Sequence, residues 1–202
     1  MFAELLRQKL SGILSLTAMQ IRALQSHYNL LVRWNQVLNL TGRSSLEQAV
    51  ERHYCESLFL GTHLPVKPLS VVDIGSGAGF PGIPIAVLRP DCSVTLVESH
   101  TRKAVFLREA TRHYHNVRVL AQRAEMLEET FECAVSRAVS YENLIQNLKR
   151  ISRRADLLTG REAPPAELGF DWQEPIGLPW GRQRFLRIGV SRETGIPARV
   201  SS

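Results

Sequence analysis

The spacing of apolar residues changes about a third of the way along the chain. Before that point, apolar side chains recur every three or four positions, which is the period of a helix with one buried face. The pattern predicts helices over residues 5–13 and 46–60, and a third that begins at the capping-box pair Thr17 and Gln20. Residues 1–65 are therefore predicted to form a helical N-terminal extension. The apolar positions assigned to the helix after Thr17 are Ile21, Leu24, Tyr28, Leu31 and Val32.

Beyond residue 65, short β-branched runs alternate with helical segments. The predicted strands cover 69–74, 93–98, 117–120, 133–136 and 155–158, and the predicted helices cover 81–88, 101–113 and 141–151. Alternation with such short connections is typical of a doubly wound, mostly parallel α/β sheet. Two more strands, around Trp172 and over 184–190, have no helix between them and are expected to pair antiparallel at one sheet edge. Residues 66–202 are predicted to be this second domain, which ends in a loose tail over 195–202.

The composition of the 202 residues excludes several classes of protein. At 44% hydrophobic and 22% charged residues the chain is an ordinary globular protein, not a disordered one. No apolar run approaches the roughly 18 to 20 residues of a membrane helix, and the first residues do not form a signal peptide. Cys55, Cys92 and Cys133 lie far apart without metal-ligand spacing. We expect buried, reduced cysteines, no metal and a cytoplasmic location.

The charge changes this picture only slightly. Lys and Arg number 25 against 19 Asp and Glu, which gives a net charge of +6, and 21 of the cations are arginine. The surplus is spread evenly along the sequence. It favours an anionic partner, nucleic acid first. A GC-rich codon bias would also enrich arginine, so both explanations stay open.

The strongest chemical signal is a glycine-rich turn between the first predicted strand and its helix. Asp73 is followed by Gly75, Gly77 and Gly79 at alternate positions. Without Cβ atoms such a loop turns tightly and lets a ligand approach the backbone. Ligands of open α/β sheets bind at the carboxyl ends of the strands, so a ligand is expected over residues 75–80.

The ligand that fits this pattern best is S-adenosylmethionine. Glu98 ends the second predicted strand about 20 residues after the glycines, where an acid can accept hydrogen bonds from both ribose hydroxyls. A shifted frame, Gly77-Ala-Gly79-Phe-Pro-Gly82, matches the dinucleotide fingerprint. It begins late after the strand and places a proline in the phosphate turn. A dinucleotide site and a purely structural turn remain alternatives, whereas the absence of GxxxxGK[ST] excludes a P-loop.

Two later segments agree with a nucleoside ligand. Residues 122–125 follow the third predicted strand, where they can read an adenine edge. Ser136 and Arg137 end the fourth, where they would face a transferable methyl group. A surface ion pair is the alternative role for Arg137.

Three stretches of this sequence resemble one family, the ribosomal RNA small subunit methyltransferase G family, also named glucose-inhibited division protein B. They are Trp34-Asn35 with Asn39-Leu40-Thr41, the long stretch VDIGSGAGFPGIP over 72–84, and Ser136-Arg137-Ala138. The resemblance covers roughly residues 28–160. It implies a Rossmann-like class I S-adenosylmethionine-dependent methyltransferase that methylates N7 of one guanine in 16S ribosomal RNA. The partner would be that RNA or the small ribosomal subunit, with no membrane partner and a monomer as the default.

The resemblance and the glycine frame together give a set of expected site residues. Those expected to bind the cofactor are Gly75, Ser76, Gly77, Gly79, Phe80, Glu98, Ala124, Glu125 and Arg137. Arg123 and Arg137 are expected near the target nucleotide, as the catalytic contacts. In the helical part, the candidates for RNA contact are Asn39, Thr41, Arg43, Arg52 and His53. The alternative role for His53 and Asn39 is to tie the helices to the core.

Three positions depart from the family pattern. Glu56 and Glu98 stand where the family has Asp, and Thr159 stands where it has Lys; at position 98 either acid can hold a ribose. Guanine N7 carries a lone pair and no proton, so methyl transfer there needs no general base and depends on orientation. The Asn/Asp-Pro-Pro-Tyr/Phe motif that serves exocyclic amines is absent from the sequence. A small-molecule or protein methyltransferase of the same fold, or a non-catalytic nucleotide-binding module, remains an alternative.

Overall fold

A computed structural model describes residues 1–42, 44–165 and 169–192, apart from the side chains at 142, 143, 145 and 146. The helices are α1 (Phe2–Leu10), α2 (Ala18–Leu38), α3 (Leu46–Ala49), α4 (Glu56–His63), α5 (Gly82–Leu88), α6 (Thr101–Thr111) and α7 (Tyr141–Ile151). The strands are β1 (Ser70–Ile74), β2 (Ser93–Val97), β3 (Val117–Leu120), β4 (Cys133–Arg137), β5 (Arg154–Thr159), β6 (Phe170–Trp172), β7 (Ile176–Gly177) and β8 (Phe185–Ser191). The strands predicted from the sequence are all present, within about two residues of the expected bounds.

Within the described residues the strands form one eight-stranded sheet in the order β3-β2-β1-β4-β5-β8-β6, with β7 also paired to β8. The first five strands are parallel. β8 runs antiparallel to β5, and β6 and β7 run antiparallel to β8, which confirms the predicted reversal at one edge. The chain order changes direction between β1 and β4, so the carboxyl ends of these strands form the crevice where such folds bind ligands.

The N-terminal helices are part of the core of the sheet. α2 contacts both α5 and α6. One continuous apolar cluster extends from Phe2 in α1 to Ile188 in β8, and a second cluster, which includes Leu148 of α7, lies on the other side of the sheet. The predicted capping box at Thr17 is present, with the Thr17 side chain accepting from the amide of Gln20.

The helical region differs from the sequence prediction in three places. α1 ends at Leu10, so Ile13 lies beyond it and is 39% exposed. On α2, Val32 is 45% exposed, whereas the polar His27 is buried at 2% exposure. A count of apolar residues misses His27, which is buried because both ring nitrogens have partners. The helix predicted over 46–60 is interrupted by a π-helical stretch, Val50–Cys55, between α3 and α4.

The three cysteines are free and buried, as expected. Burial raises the pKa of Cys55 to about 12, which leaves its thiol protonated at neutral pH. Among the described residues, none of the helices combines the length and hydropathy needed to cross a bilayer. The same residues contain no cluster of three or more His, Cys, Asp or Glu side chains placed to hold a metal.

An ion pair with a fully buried carboxylate and a partly exposed arginine joins the helical region to the C-terminal strands. Arg184, just before β8, donates from Nη2 to Oε2 of Glu56 over 2.5 Å, and the Glu56 side chain is 0% exposed. Burial raises the pKa of Glu56, and the nearby Arg184 opposes that rise. Removal of one partner from such a pair leaves an uncompensated buried charge.

We therefore expect Arg184→Met to lower the free energy of unfolding by about 3 to 5 kcal/mol. The double variant Glu56→Gln with Arg184→Met should recover part of this loss, because no unpaired carboxylate remains. Urea unfolding at pH 7 measures both. Arg192→Met is the control: it breaks the pair with Asp171, whose side chains are 55% and 74% exposed, and should cost less than about 1 kcal/mol. Equal losses for Arg184→Met and Arg192→Met would contradict a buried, structural pair.

Candidate active site

The glycine-rich loop after β1 is held by backbone contacts to its neighbours. Gly75 has a φ of 71°, a conformation that glycine adopts freely, and its amide and that of Ser76 donate to the carbonyl of Val97 over 3.0 and 3.1 Å. Below the loop, Oδ2 of Asp73 accepts from the amide of Gly82 over 2.9 Å. Burial raises the pKa of Asp73 to about 7. Asp73 thus stabilises the start of α5 from beneath.

Glu98 restrains the middle of the same loop. Its Oε2 accepts from the amide of Gly77 over 2.9 Å, and its Oε1 accepts from the amide of His100 over 2.7 Å. The residue follows β2 and is only 7% exposed. A carboxylate has about four lone-pair positions, so each oxygen retains capacity for one more donor.

The third restraint comes from the N-terminal region, which the sequence did not predict. His27 on α2 has its Nε2 3.0 Å from the carbonyl oxygen of Ala78 in the loop. A carbonyl only accepts, so Nε2 carries the proton, and Nδ1 accepts from the Tyr54 hydroxyl over 2.9 Å. Burial lowers the pKa of His27 to about 4, which keeps the ring neutral. No motif marks His27 or Tyr54 as loop supports.

A first cavity of about 190 Å³ lies at the carboxyl ends of β1, β2 and β3. Three of the predicted cofactor residues line it: Gly75, Ala124 and Glu125. Arg123 also lines it, so this residue lies on the cofactor side of the site. The remaining lining residues are Ile74, Val97, Ser99, Gln122 and Val139.

A second cavity of about 590 Å³ lies at the carboxyl ends of β4 and β5. Arg137, Arg161 and Arg184 all line it. Val139 lines both this cavity and the first, so the two adjoin. The structure therefore places Arg123 and Arg137, which were predicted together, in neighbouring cavities.

The Arg137 guanidinium is fixed on one side. Nη1 donates to the carbonyl of Arg52 over 2.7 Å and lies 2.6 Å from Nδ1 of His53, while Cζ sits 5.1 Å from the Phe80 ring centroid. In the π-helical stretch, the amide of Glu56 bonds the carbonyl of Glu51, which leaves the Arg52 carbonyl to accept from Arg137. Burial lowers the pKa of Arg137 to about 10, so it remains charged at neutral pH.

In this structure His53 accepts a hydrogen bond from Arg137. Arginine only donates, so Nδ1 of His53 is the acceptor and the ring is neutral. Burial, followed by the charge of Arg137, lowers the pKa of His53 to about 3. Its ring stacks on Phe80 at 5.0 Å between centroids.

A third cavity, of about 680 Å³, holds the other predicted RNA contacts. Asn39, Thr41 and His53 line it together, and Arg43 lies outside the described residues. Asn35 accepts from the Thr41 amide over 2.9 Å and donates to its carbonyl over 3.1 Å, so it fixes the loop after α2. Asn39 ends α2 in the left-handed conformation, with a φ of 33°.

The remaining predicted cofactor residues do not line the first cavity. Ser76 is 2% exposed and donates from Oγ to the carbonyl of Asp73. Phe80 is also 2% exposed, among His27, His53 and Tyr54. For these residues, as for Gly77, Gly79 and Glu98, direct contact with a cofactor stays a prediction. Arg184 was missed because its role depends on β8 lying beside β5, which no local motif indicates.

Comparison with known families identifies this arrangement. The profile of the GidB family, described as rRNA small subunit methyltransferase G, matches residues 20–158, which is more than half of the chain. The chain belongs to the GidB family. The stretches that suggested the resemblance, from Trp34 to Arg137, all lie within the matched segment.

Relatives of this GidB-family chain carry the same name. The ribosomal RNA small subunit methyltransferase G of Dichelobacter nodosus is 43% identical over 144 residues, which cover 68% of each chain. That of Halorhodospira halophila is 38% identical over 130 residues, which cover 63% of this chain and 61% of the relative. This chain thus matches about half to two thirds of the length of its curated relatives.

Solved structures confirm the fold of this GidB-family chain. A SAM-dependent methyltransferase from Aquifex aeolicus superimposes with a TM-score of 0.56 at 15% identity, over 71% of this chain and 93% of that one. A methyltransferase from Pyrococcus furiosus gives 0.55 at 16% identity, over 84% and 98%. The Rossmann-like class I methyltransferase fold predicted from the sequence is confirmed.

The His27 contact predicts a pH dependence of stability. The folded pKa of about 4 lies below the unfolded value of 6.5, so the stabilisation from neutral His27 is complete above pH 6.5. It is lost as the pH falls from 6.5 towards 4, by on the order of 3 kcal/mol. We compare the free energy of unfolding in urea at pH 7 with that at pH 4.5. In His27→Gln the decrease between the two pH values should no longer include this loss. His115→Gln, at an exposed position, should keep the wild-type pH dependence. A wild-type slope in His27→Gln would contradict a buried neutral ring.

Proposed function

We propose that this chain is an S-adenosylmethionine-dependent methyltransferase that methylates N7 of a guanine in 16S ribosomal RNA. The observation that supports this most is the pair of adjoining cavities at the carboxyl edge of the sheet. One lies over Gly75 with residues 122–125, and the other carries three guanidinium groups. Membership of the GidB family and the names of the relatives direct the choice to RNA of the small subunit.

The residues of the first cavity fit the cofactor. A Cβ atom built on Gly77 would have only the Gly75 carbonyl oxygen within 4 Å, at 3.8 Å, so the loop presents open backbone there. Glu98, which holds this backbone, has lone pairs left for ribose hydroxyls. Ala124 and Glu125 form the far wall, where an adenine would lie. When bound, the cofactor supplies an electrophilic methyl group on a sulfonium.

The second cavity would orient the guanine. N7 carries no proton, so no side chain has to act as a base, and the task of the protein is to hold the ring in line. Nη1 of Arg137 is engaged by Arg52 and His53, and none of the described residues accepts from its Nη2 or Nε. A donor placed on N7 would block the nucleophile, so we assign these nitrogens to O6 or to a phosphate.

The helical region supplies the remaining part of this proposal. We treat residues 1–65 as a cap on the catalytic domain over 66–202, with Asn39 and Thr41 contacting RNA from the third cavity. The target base has to leave its stack to reach the methyl group, at a cost of a few kcal/mol that a single-stranded loop reduces. We take the working enzyme to be a cytoplasmic monomer without a metal.

The test is methyl transfer to 16S ribosomal RNA from a strain that lacks this protein, followed by mapping of the modified base. We expect label at N7 of one guanine. Label elsewhere, or none with either the RNA or the 30S subunit, would overturn the proposal. Calorimetry should show binding of S-adenosylhomocysteine and not of NADH. In Gly77→Asp the carboxylate fills the ligand path, so binding and transfer should both disappear; Gly12→Asp, also at a positive φ with open space, is the control and should retain both.

Arg137 should affect turnover more than cofactor binding. Arg137→Ala removes the guanidinium from the second cavity but leaves the first cavity intact. We expect kcat to fall by about 100-fold, as for loss of one positioned donor. The dissociation constant for S-adenosylhomocysteine should stay within about twofold. Single-turnover assays and calorimetry measure the two quantities, and equal losses in both would refute the orienting role.

A further inference from the structure

Two neighbouring helices account for most of the net positive charge of the chain, although they carry only six of its 25 Lys and Arg residues. α2 has two arginines, Arg22 and Arg33, and no acid. The cations of α6 and its C-cap are Arg102, Lys103, Arg108 and Arg112, and its one acid is Glu109. The two helices thus carry six cations and one carboxylate, on a chain whose net charge is +6. The surplus that is evenly spread along the sequence is concentrated in space.

A groove with charged residues on both walls lies between the two helices. Arg22, Ser26, Asn29 and Arg33 follow one another at helical spacing on α2, and all four are exposed. The two arginines lie about 16 Å apart along the helix axis. Between α2 and α6 is a groove of about 570 Å³, with Arg33 on one wall and Arg112 and His113 on the other.

The cations of this face are available for a ligand. Within the described residues, no ion pair joins any of the six to an acid, and Glu109 already accepts from the Trp34 indole over 3.1 Å. Five arginines elsewhere in the described residues lie within 4.0 Å of a carboxylate, whereas others, such as Arg7 and Arg153, do not. The five pairs are Arg89–Asp91, Arg118–Glu129, Arg154–Asp156, Arg184–Glu56 and Arg192–Asp171.

We propose that the α2–α6 face binds the sugar-phosphate backbone of the RNA substrate beside the catalytic cleft. Phosphates repeat along a backbone as these cations repeat along the two helices, and arginine forks match phosphate oxygens. The N-terminal end of α6 lies near the cleft, because α6 begins three residues after Glu98, and α2 holds the glycine loop through His27. The groove lies towards the other end of α6, at Arg112. The inference rests on the proposed function. It identifies where the protein holds the RNA at positions other than the target base.

The test compares two charge-reversal variants of the full chain. Arg33→Glu with Arg112→Glu places acids on both walls of the groove, and neither residue belongs to the three cavities above. Arg7→Glu with Arg153→Glu is the control, since both arginines are exposed and lie outside α2 and α6. Binding of unmethylated 16S ribosomal RNA transcribed in vitro is measured by filter retention at several salt concentrations. Binding of S-adenosylhomocysteine is measured by calorimetry.

We expect the groove variant to lose at least tenfold in RNA affinity. The slope of log K against log salt should fall in magnitude by about 1.5, the value for two lost phosphate contacts. Binding of S-adenosylhomocysteine should be unchanged, and the control should stay close to wild type. Wild-type affinity and slope in the groove variant would overturn the inference, as would an equal loss in the control, which reflects net charge only.

Separate measurement of transfer distinguishes the two proposals. Salt-dependent RNA binding by the wild type that the groove variant loses, without methylation of N7, would overturn the proposed function alone. Methylation of N7 with unaltered RNA binding in the groove variant would overturn the α2–α6 face alone. Loss of affinity for an intact 30S subunit but not for free RNA would identify a ribosomal protein as the partner and would also refute this inference.

Discussion

The carbonyl of Ala78, in the middle of the glycine loop, accepts a hydrogen bond from a histidine 51 residues earlier in the chain. A loop that leaves room for a ligand cannot be fixed by side chains packed on its open side. Its backbone groups then need partners from other elements, because an unpaired buried carbonyl or amide is costly. His27 supplies one such partner and Glu98 another, through the amide of Gly77. The helical N-terminal region is thus required for the geometry of the site, independently of any contact with RNA.

The same restraint extends to the second cavity through one ring. Phe80 ends the glycine loop and lies edge-on to Tyr54 at 5.0 Å and to His27 at 5.2 Å. On its faces it stacks with His53 and supports the Arg137 guanidinium. A displacement of the loop therefore displaces Arg137, the group that we propose orients the target base. The glycine loop and the second cavity are thus coupled by direct contact between packed rings. This coupling requires no mobile segment.

Local patterns predicted what depends on local sequence. The parallel strands are short apolar runs, which are mostly buried except in the edge strand β3. The Thr17 cap uses residues three positions apart, so both features could be predicted. The glycine loop was recognisable because its backbone conformation restricts the residue type, as at Gly75 with its positive φ. His27 could not be predicted: its burial is favourable only when Tyr54 and Ala78 come from distant positions to meet it. Arg184 likewise depends on the antiparallel pairing of β8 with β5, which brings it to Glu56.

Charge is the property for which the linear sequence is least informative. A positive residue has meaning only with its neighbours in space, since a carboxylate at 3 Å cancels most of its field at a distance. Arg118 and Arg192 are neutralised in this way by Glu129 and Asp171. The helices α2 and α6 lie side by side because their apolar faces cover the sheet, and that packing brings their outward cations onto one surface. The fold thus divides the described arginines into those paired with a carboxylate, such as Arg154 with Asp156, and those without such a pair, among them Arg33 and Arg112 of the α2–α6 face.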